Sequence, residues 1–366
     1  MVPTVQTVRP PDCDIRLMNS DSLSPTISQH FQLAVAETLP VLQPVLISSA
    51  IALGICLCFG APLISWLKRH FQERVASDSA RLNQLHSAKS GTPTMGGLLI
   101  LLAVCCGIAL TPAPSLTMEI RVLGIGTALA FGALGAWDDL IKARTRKQGL
   151  SVRQKFLWQV ALASGISICL WLFHPTTNTP TDTAIWQRSL LSGSLVIFLP
   201  WSVLVIVAVS NAVNLTDGLD GLAAGCLATT SAALAWILAV HPETSGLAVI
   251  AASLSASALG FLWFNRHPAR VFMGDTGSLP AGALLAVIAL AGGRELVLPV
   301  CGSVFLIETL SVIAQVAWFR RTRNRLLLCS PLHNHFVFQQ KSERKIVRWF
   351  WLVAAISAVI AGGFCS

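Results

Sequence analysis

Residues Ser210–Ala224 read Ser-Asn-Ala-Val-Asn-Leu-Thr-Asp-Gly-Leu-Asp-Gly-Leu-Ala-Ala, with apolar runs on both sides at about 189–209 and 219–240. A helix that crosses a bilayer needs roughly 20 apolar residues, and each run meets that length. The polar stretch therefore joins two spans. It sets Asn211, Asn214, Asp217 and Asp220 at steps of three, and on a helix residues three apart share a face. These four side chains are expected to converge on one small volume. An ordinary Asn/Asp/Gly turn is the plainer reading. Against it, acids beside the ends of spanning segments are expensive and mark function.

The rest of the chain has the same character. Its 366 residues are 54% hydrophobic and 12% charged, with mean hydropathy +0.66, whereas a soluble domain carries roughly 25% charged residues. Helices are expected at about 42–67, 95–111, 121–141, 156–173, 189–209, 219–240, 246–265, 279–293, 296–318 and 347–364. The fold class is thus an all-α polytopic integral membrane protein, with a ten-helix transmembrane domain over 41–366. Residues 1–40 are polar and proline-containing; they read as a disordered leader without a signal-peptide pattern. No internal repeat is evident, which argues against an inverted-repeat transporter. The ten cysteines lie mostly inside apolar runs without C-x-x-C spacing, so they read as packing residues, not as a zinc site or disulfide framework.

With ten helices, alternate loops share a side. Of the 26 lysines and arginines, all but Arg9, Arg16, Arg121, Arg188 and Arg294 fall in loops on one side. The positive-inside rule makes that side cytoplasmic and puts both termini outside. The Ser210–Ala224 loop lands on the same side, as do the other polar motifs.

Lys89-Ser-Gly-Thr-Pro-Thr-Met-Gly-Gly97 precedes the second helix; its glycines, hydroxyls and lysine suit an anion at a helix start. Asp138 and Asp139 end the third helix, where carboxylates oppose the helix dipole. A divalent cation, a lysine or a shared proton would stabilise them, and hard cations take oxygen ligands. Lys142 follows one turn later, and Lys155 opens the fourth helix, where a lysine also serves simply as a headgroup anchor. The loop Asn265-Arg-His-Pro-Ala-Arg-Val-Phe272-Met-Gly-Asp275-Thr-Gly-Ser278 offers Asp275 to a metal and Phe272 to a base. Pro331-Leu-His333-Asn-His335-Phe336 supplies imidazoles for a metal or for phosphate oxygens. Acids for a metal, cations for phosphates and a lipid-facing wall together suit metal-assisted phosphate chemistry on an apolar acceptor.

This ordered set of motifs resembles the phospho-N-acetylmuramoyl-pentapeptide transferase (MraY) family, polyprenyl-phosphate phosphoglycosyl transferases, over about residues 41–366. The resemblance implies transfer of phospho-N-acetylmuramoyl-pentapeptide from UDP-N-acetylmuramoyl-pentapeptide to undecaprenyl phosphate. Lipid I and UMP are then the products, with Mg²⁺ as cofactor, in the first membrane step of peptidoglycan synthesis. It also implies the bacterial inner membrane with the site facing the cytoplasm, a homodimer, the bilayer as partner and no nucleic acid. Residue by residue, Asp275 would hold Mg²⁺, with Asp217 as a further metal ligand. Asp138 and Asp139 match the essential acidic pair, one of which deprotonates the lipid phosphate. Asp217 and Asp220 match the acids of the central motif, and Phe272 the uracil-stacking position. Asn265 stands ten residues before Asp275. Lys89 would contact phosphate, and Asn211, Asn214, Lys142, Lys155, His333, Asn334 and His335 complete the site.

Four positions depart from the family pattern. Asn334 replaces the middle of three histidines, Val337 a glutamate, Leu140 a tyrosine and Pro280 an alanine. Asn334 is read as keeping a hydrogen bond to phosphate or nucleotide. The alternative donor is UDP-N-acetylglucosamine or a related hexosamine. A cation-coupled transporter is the remoter alternative, but it calls for acids near the bilayer midplane. Direct attack by the lipid phosphate is preferred over a covalent aspartyl intermediate, because prenyl phosphate is already an oxyanion nucleophile.

Overall fold

The apolar runs become helices, with Pro200 and Pro280 each inside one. The computed structural model describes residues 23–71, 91–145, 149–173 and 194–365, with only the backbone for 23–39 and 364–365. Lys89 lies outside the described residues. The chain divides into two units, Met1–Leu42 and Gln43–Ser366. Of the first, the described part is helical from Leu23 onward.

Among the described residues the regular structure is α-helical: α1 Leu23–His70, α2 Gly97–Leu110, α3 Met118–Arg144, α4 Val152–Phe173, α5 Leu195–Thr216, α6 Leu222–Ala239, α7 Ser245–Asn265, α8 Asp275–Ala291, α9 Leu298–Cys301, α10 Ser303–Thr322, α11 Leu332–Phe338 and α12 Glu343–Cys365. Eight stretches are long and apolar enough to cross a membrane, in α1, α3, α4, α5, α6, α7, α10 and α12. Helices α2 and α8 are apolar but shorter.

Helix α8 is the centre of the bundle. It packs chiefly between α3 and α5, while α6 packs on α7. Every residue from Asp275 to Leu290 is buried, as expected of a helix that is apolar all round. Small residues let its neighbours approach closely. A Cβ on Gly97 would collide with the Gly277 backbone nitrogen, and one on Gly135 with the Asp275 carbonyl.

Two expectations are corrected at the level of elements. The helix expected at 279–293 begins at Asp275, because Asp139 supplies hydrogen-bond acceptors to its first turn. The segment expected at 296–318 is broken at Gly302 into α9 and α10.

Candidate active site

Three acids from two helices meet where α3 ends and α8 begins. The carboxylates of Asp138, Asp139 and Asp275 offer oxygens within 4.8 Å of one another, and all three residues are buried. Lys142, one turn along α3, reaches all of them, at 2.7 Å from Asp138 Oδ2, 3.6 Å from Asp139 Oδ1 and 3.1 Å from Asp275 Oδ2. Lys155 of α4 donates to Asp275 Oδ2 at 2.5 Å. Asn214 Nδ2 donates to Asp275 Oδ1 at 2.7 Å and to Ser278 Oγ at 2.8 Å. Three helices thus converge on the Asp275 carboxylate.

The adjacent acids are held differently. Asp139 Oδ2 accepts the Thr276 N–H at 2.9 Å and its hydroxyl at 2.7 Å, and Oδ1 accepts the Asp275 N–H at 3.2 Å. It satisfies N–H groups that every helix start leaves unpaired. Asp138 Oδ1 accepts the Leu150 N–H at 2.7 Å. Gly149 has φ +102°, and a Cβ there would press on the Asp138 carboxylate, so the turn closes over that acid.

The central motif does not stay helical. Helix α5 ends at Thr216, Asp217 is its C-cap, and Gly221 has φ +79°. The glycines therefore break the i, i+3 register, and the four polar residues separate. Asn211 pairs with Gln159 of α4, donating at 2.8 Å and accepting at 3.3 Å. Asn214 reaches Asp275, whereas Asp217 does not join the group of three acids. Asp220 belongs to a second group with His267 and Glu343. Its Oδ2 lies 3.0 Å from His267 Nδ1 and accepts the Ala269 N–H at 3.1 Å. Glu343 Oε1 accepts the Asp220 N–H at 2.7 Å. Asn265 is a loop clamp: its Oδ1 accepts the Gly221 N–H at 2.9 Å, and its Nδ2 donates to the Val271 carbonyl at 2.9 Å.

Of the Thr-Pro-Thr-Met-Gly-Gly stretch, expected to cradle an anion, the Thr94, Gly96 and Gly97 amides donate to protein carbonyls. Gly96 and Gly97 donate to the Phe272 and Met273 carbonyls, each at 2.8 Å, and Phe272 donates to the Pro93 carbonyl at 2.9 Å. The motif grips the loop that carries Phe272, whose side chain is half-buried. His335 Nδ1 accepts the Leu328 N–H at 3.2 Å, and the buried Asn334 Oδ1 meets no hydrogen-bond partner among the described residues. His333 is paired with Glu308, at 3.2 Å between Nδ1 and Oε2. Glu308 escaped the sequence reading; the signal was a lone acid inside an apolar run.

Residues 89–101 match the phospho-N-acetylmuramoyl-pentapeptide-transferase signature 1, and residues 122–293 the glycosyl transferase family 4 model. A phospho-N-acetylmuramoyl-pentapeptide-transferase of Moorella thermoacetica is 42% identical over 321 residues, covering 84% of this chain and 95% of the relative. The protein of that name from Desulforudis audaxviator is 39% identical over 330 residues, covering 87% and 97%. The one from Nocardia farcinica is 36% identical over 352 residues, covering 88% and 97%. The chain belongs to the phospho-N-acetylmuramoyl-pentapeptide-transferase family. It is a multi-pass membrane transferase, and among its described residues both the acids of α3 and α8 and the Asp220, His267 and Glu343 group could hold a metal ion.

Proposed function

We propose that this protein transfers phospho-N-acetylmuramoyl-pentapeptide from UDP-N-acetylmuramoyl-pentapeptide to undecaprenyl phosphate, releasing UMP and forming lipid I. The observation that carries the reading is the meeting of Asp138, Asp139 and Asp275 with Lys142 and Lys155, in a chain 42% identical to a transferase of that name. This is the first membrane step of peptidoglycan synthesis. The setting is the bacterial inner membrane, spanned ten times by residues 41–366 behind a leader over 1–40. Both termini lie outside and the site faces the cytoplasm. The clustering of basic residues in alternate loops supports that orientation. The family resemblance supports a homodimer.

The donor set fits Mg²⁺. It is all carboxylate oxygen, and three acids against two lysines leave a formal negative charge in a buried site. Asp275, on which Lys142, Lys155 and Asn214 converge, would hold the ion, leaving Asp138 to act as a base. When bound, Mg²⁺ would neutralise the diphosphate and the developing charge on the leaving UMP. Lys142 and Lys155 hold Asp275 in place and offer positive charge to phosphate oxygens. Asp138 takes the proton of the prenyl phosphate, because its Oδ2 lies beside the Lys142 ammonium and, unlike the Asp139 oxygens, caps no α8 amide. The deprotonated phosphate oxygen then attacks the sugar-linked phosphorus. A new P–O bond forms, the P–O bond to UMP breaks, and no aspartyl intermediate is required. Phe272 stacks on the uracil, and Lys89, Asn334 and His335 bind phosphate or nucleotide. Asp217, at the end of α5, would be a further metal ligand.

Mass spectrometry of the lipid extract after incubation with both substrates tests the reaction. The expected product is undecaprenyl-diphospho-N-acetylmuramoyl-pentapeptide, formed with Mg²⁺ and absent with a chelator. Product of equal yield in the chelated sample would contradict the metal assignment.

A further inference from the structure

Helix α10 carries an acid to which the transfer chemistry gives no part. Glu308 stands in an apolar helix at 0% exposure, and its carboxylate is turned onto His333 of α11. Oε1 accepts the His333 backbone N–H at 3.1 Å, and Oε2 lies 3.2 Å from Nδ1. Burying a carboxylate is costly unless it is paired and hydrogen-bonded; here one residue engages both oxygens. His333 is itself 1% exposed. Its other nitrogen faces the central motif: a Cβ on Gly218 would collide with His333 Nε2. The ring therefore lies against the turn between Asp217 and Asp220.

We propose that Glu308 is the positioning residue for His333: its buried carboxylate clamps the His333 N–H and Nδ1, so that Nε2 is the nitrogen held at the Gly218 turn and offered to the anionic donor. This rests on the transferase reading given above. An ionised Glu308 offers acceptors only, so Nδ1 carries the proton of the neutral ring. Nε2 then holds the lone pair, and in the protonated ring the same Nε2 becomes a donor toward a phosphate oxygen. The working nitrogen is the same in both states. Rotating the ring would leave the buried Oε2 without its partner, which holds the orientation in place. The second hydrogen bond of a histidine sets which nitrogen faces the chemistry. The arrangement joins α10, α11 and the α5–α6 turn through one imidazole.

The test is the ring ¹⁵N spectrum of histidine-labelled full-length protein in detergent, alongside kcat for UMP release. Among the eight histidines, the His333 signals are identified by their loss in His333→Gln. The wild type is expected to show Nδ1 protonated. In Glu308→Gln the amide donates where the carboxylate accepted, so the proton is expected to move to Nε2. That variant should lose roughly 10–100-fold in kcat, as when an orienting partner of a working histidine is removed. The same substitution should be silent in the His333→Gln background. The wild-type spectrum is a test in itself, since a neutral ring protonated at Nε2 would overturn the assignment. Equal losses from Glu308→Gln in both backgrounds would overturn it as well. An Nδ1-protonated wild type that releases no UMP from the muramoyl donor would instead sink the transferase reading and leave the clamp standing.

Discussion

Asp138 and Asp139 are adjacent, yet their carboxylates face different neighbours. Asp139 accepts three hydrogen bonds from the first turn of α8, whereas Asp138 Oδ2 faces the Lys142 ammonium. Losing a helix cap costs about 0.5–2 kcal/mol. Asp139→Ala is therefore expected to lower the thermal midpoint in detergent as well as the activity. Asp138→Asn should leave the midpoint nearly unchanged and reduce kcat by roughly 10²–10⁴-fold, the contribution of a positioned general base. Thermal unfolding and UMP release measured on both variants separate the two roles. A destabilised Asp138→Asn beside a stable Asp139→Ala would reverse the assignment. Lys142 is the residue that ties these acids together, and its place one turn after them made it visible in the sequence.

Helix α8 is where local sequence and tertiary packing depend on each other most. Its start is fixed by Asp139, by Lys142 and Lys155 on Asp275, and by the close approach of Gly135 to the Asp275 carbonyl. Gly135→Ala is expected to push the α8 start away from α3, since overpacking a tight contact costs about 1–3 kcal/mol. The Mg²⁺ concentration for half-maximal activity should rise with it. Gly126→Ala in the same helix, where a Cβ meets nothing within 4 Å, is the control and should behave as wild type. Matched Mg²⁺ dependence in the two variants would contradict this. The sequence disclosed the apolar runs because hydropathy reports burial and lipid contact directly. It disclosed Asp138, Asp139 and Asp275 because acids at span ends have few structural reasons to be there. It did not disclose the scattering of the central motif: helical periodicity was extended across Gly218 and Gly221, where the chain turns. The partners of Asp220, His267 and Glu343, come from the α7–α8 loop and the start of α12, a meeting that spacing along the chain cannot express. Nor did it disclose Glu308, whose partner His333 is brought to it by the fold of α10 and α11.

At the scale of the whole molecule, acids, lysines and imidazoles gather at helix ends, while the helices present apolar side chains outward. Exposed large side chains such as Leu172, Val196, Trp236 and Val359 would be a liability in water and are at home in acyl chains. That arrangement suits a reaction between a soluble nucleotide and a prenyl chain that never leaves the membrane. The central claim is that these polar residues make a transferase selective for the muramoyl donor, with Asn334 standing in the histidine loop. Its most direct test is UMP release by the purified protein with undecaprenyl phosphate and Mg²⁺, offered either UDP-N-acetylmuramoyl-pentapeptide or UDP-N-acetylglucosamine. The prediction is release with the first donor only, abolished in Asp275→Asn. Release with the second donor only, or undiminished release in Asp275→Asn, would contradict it.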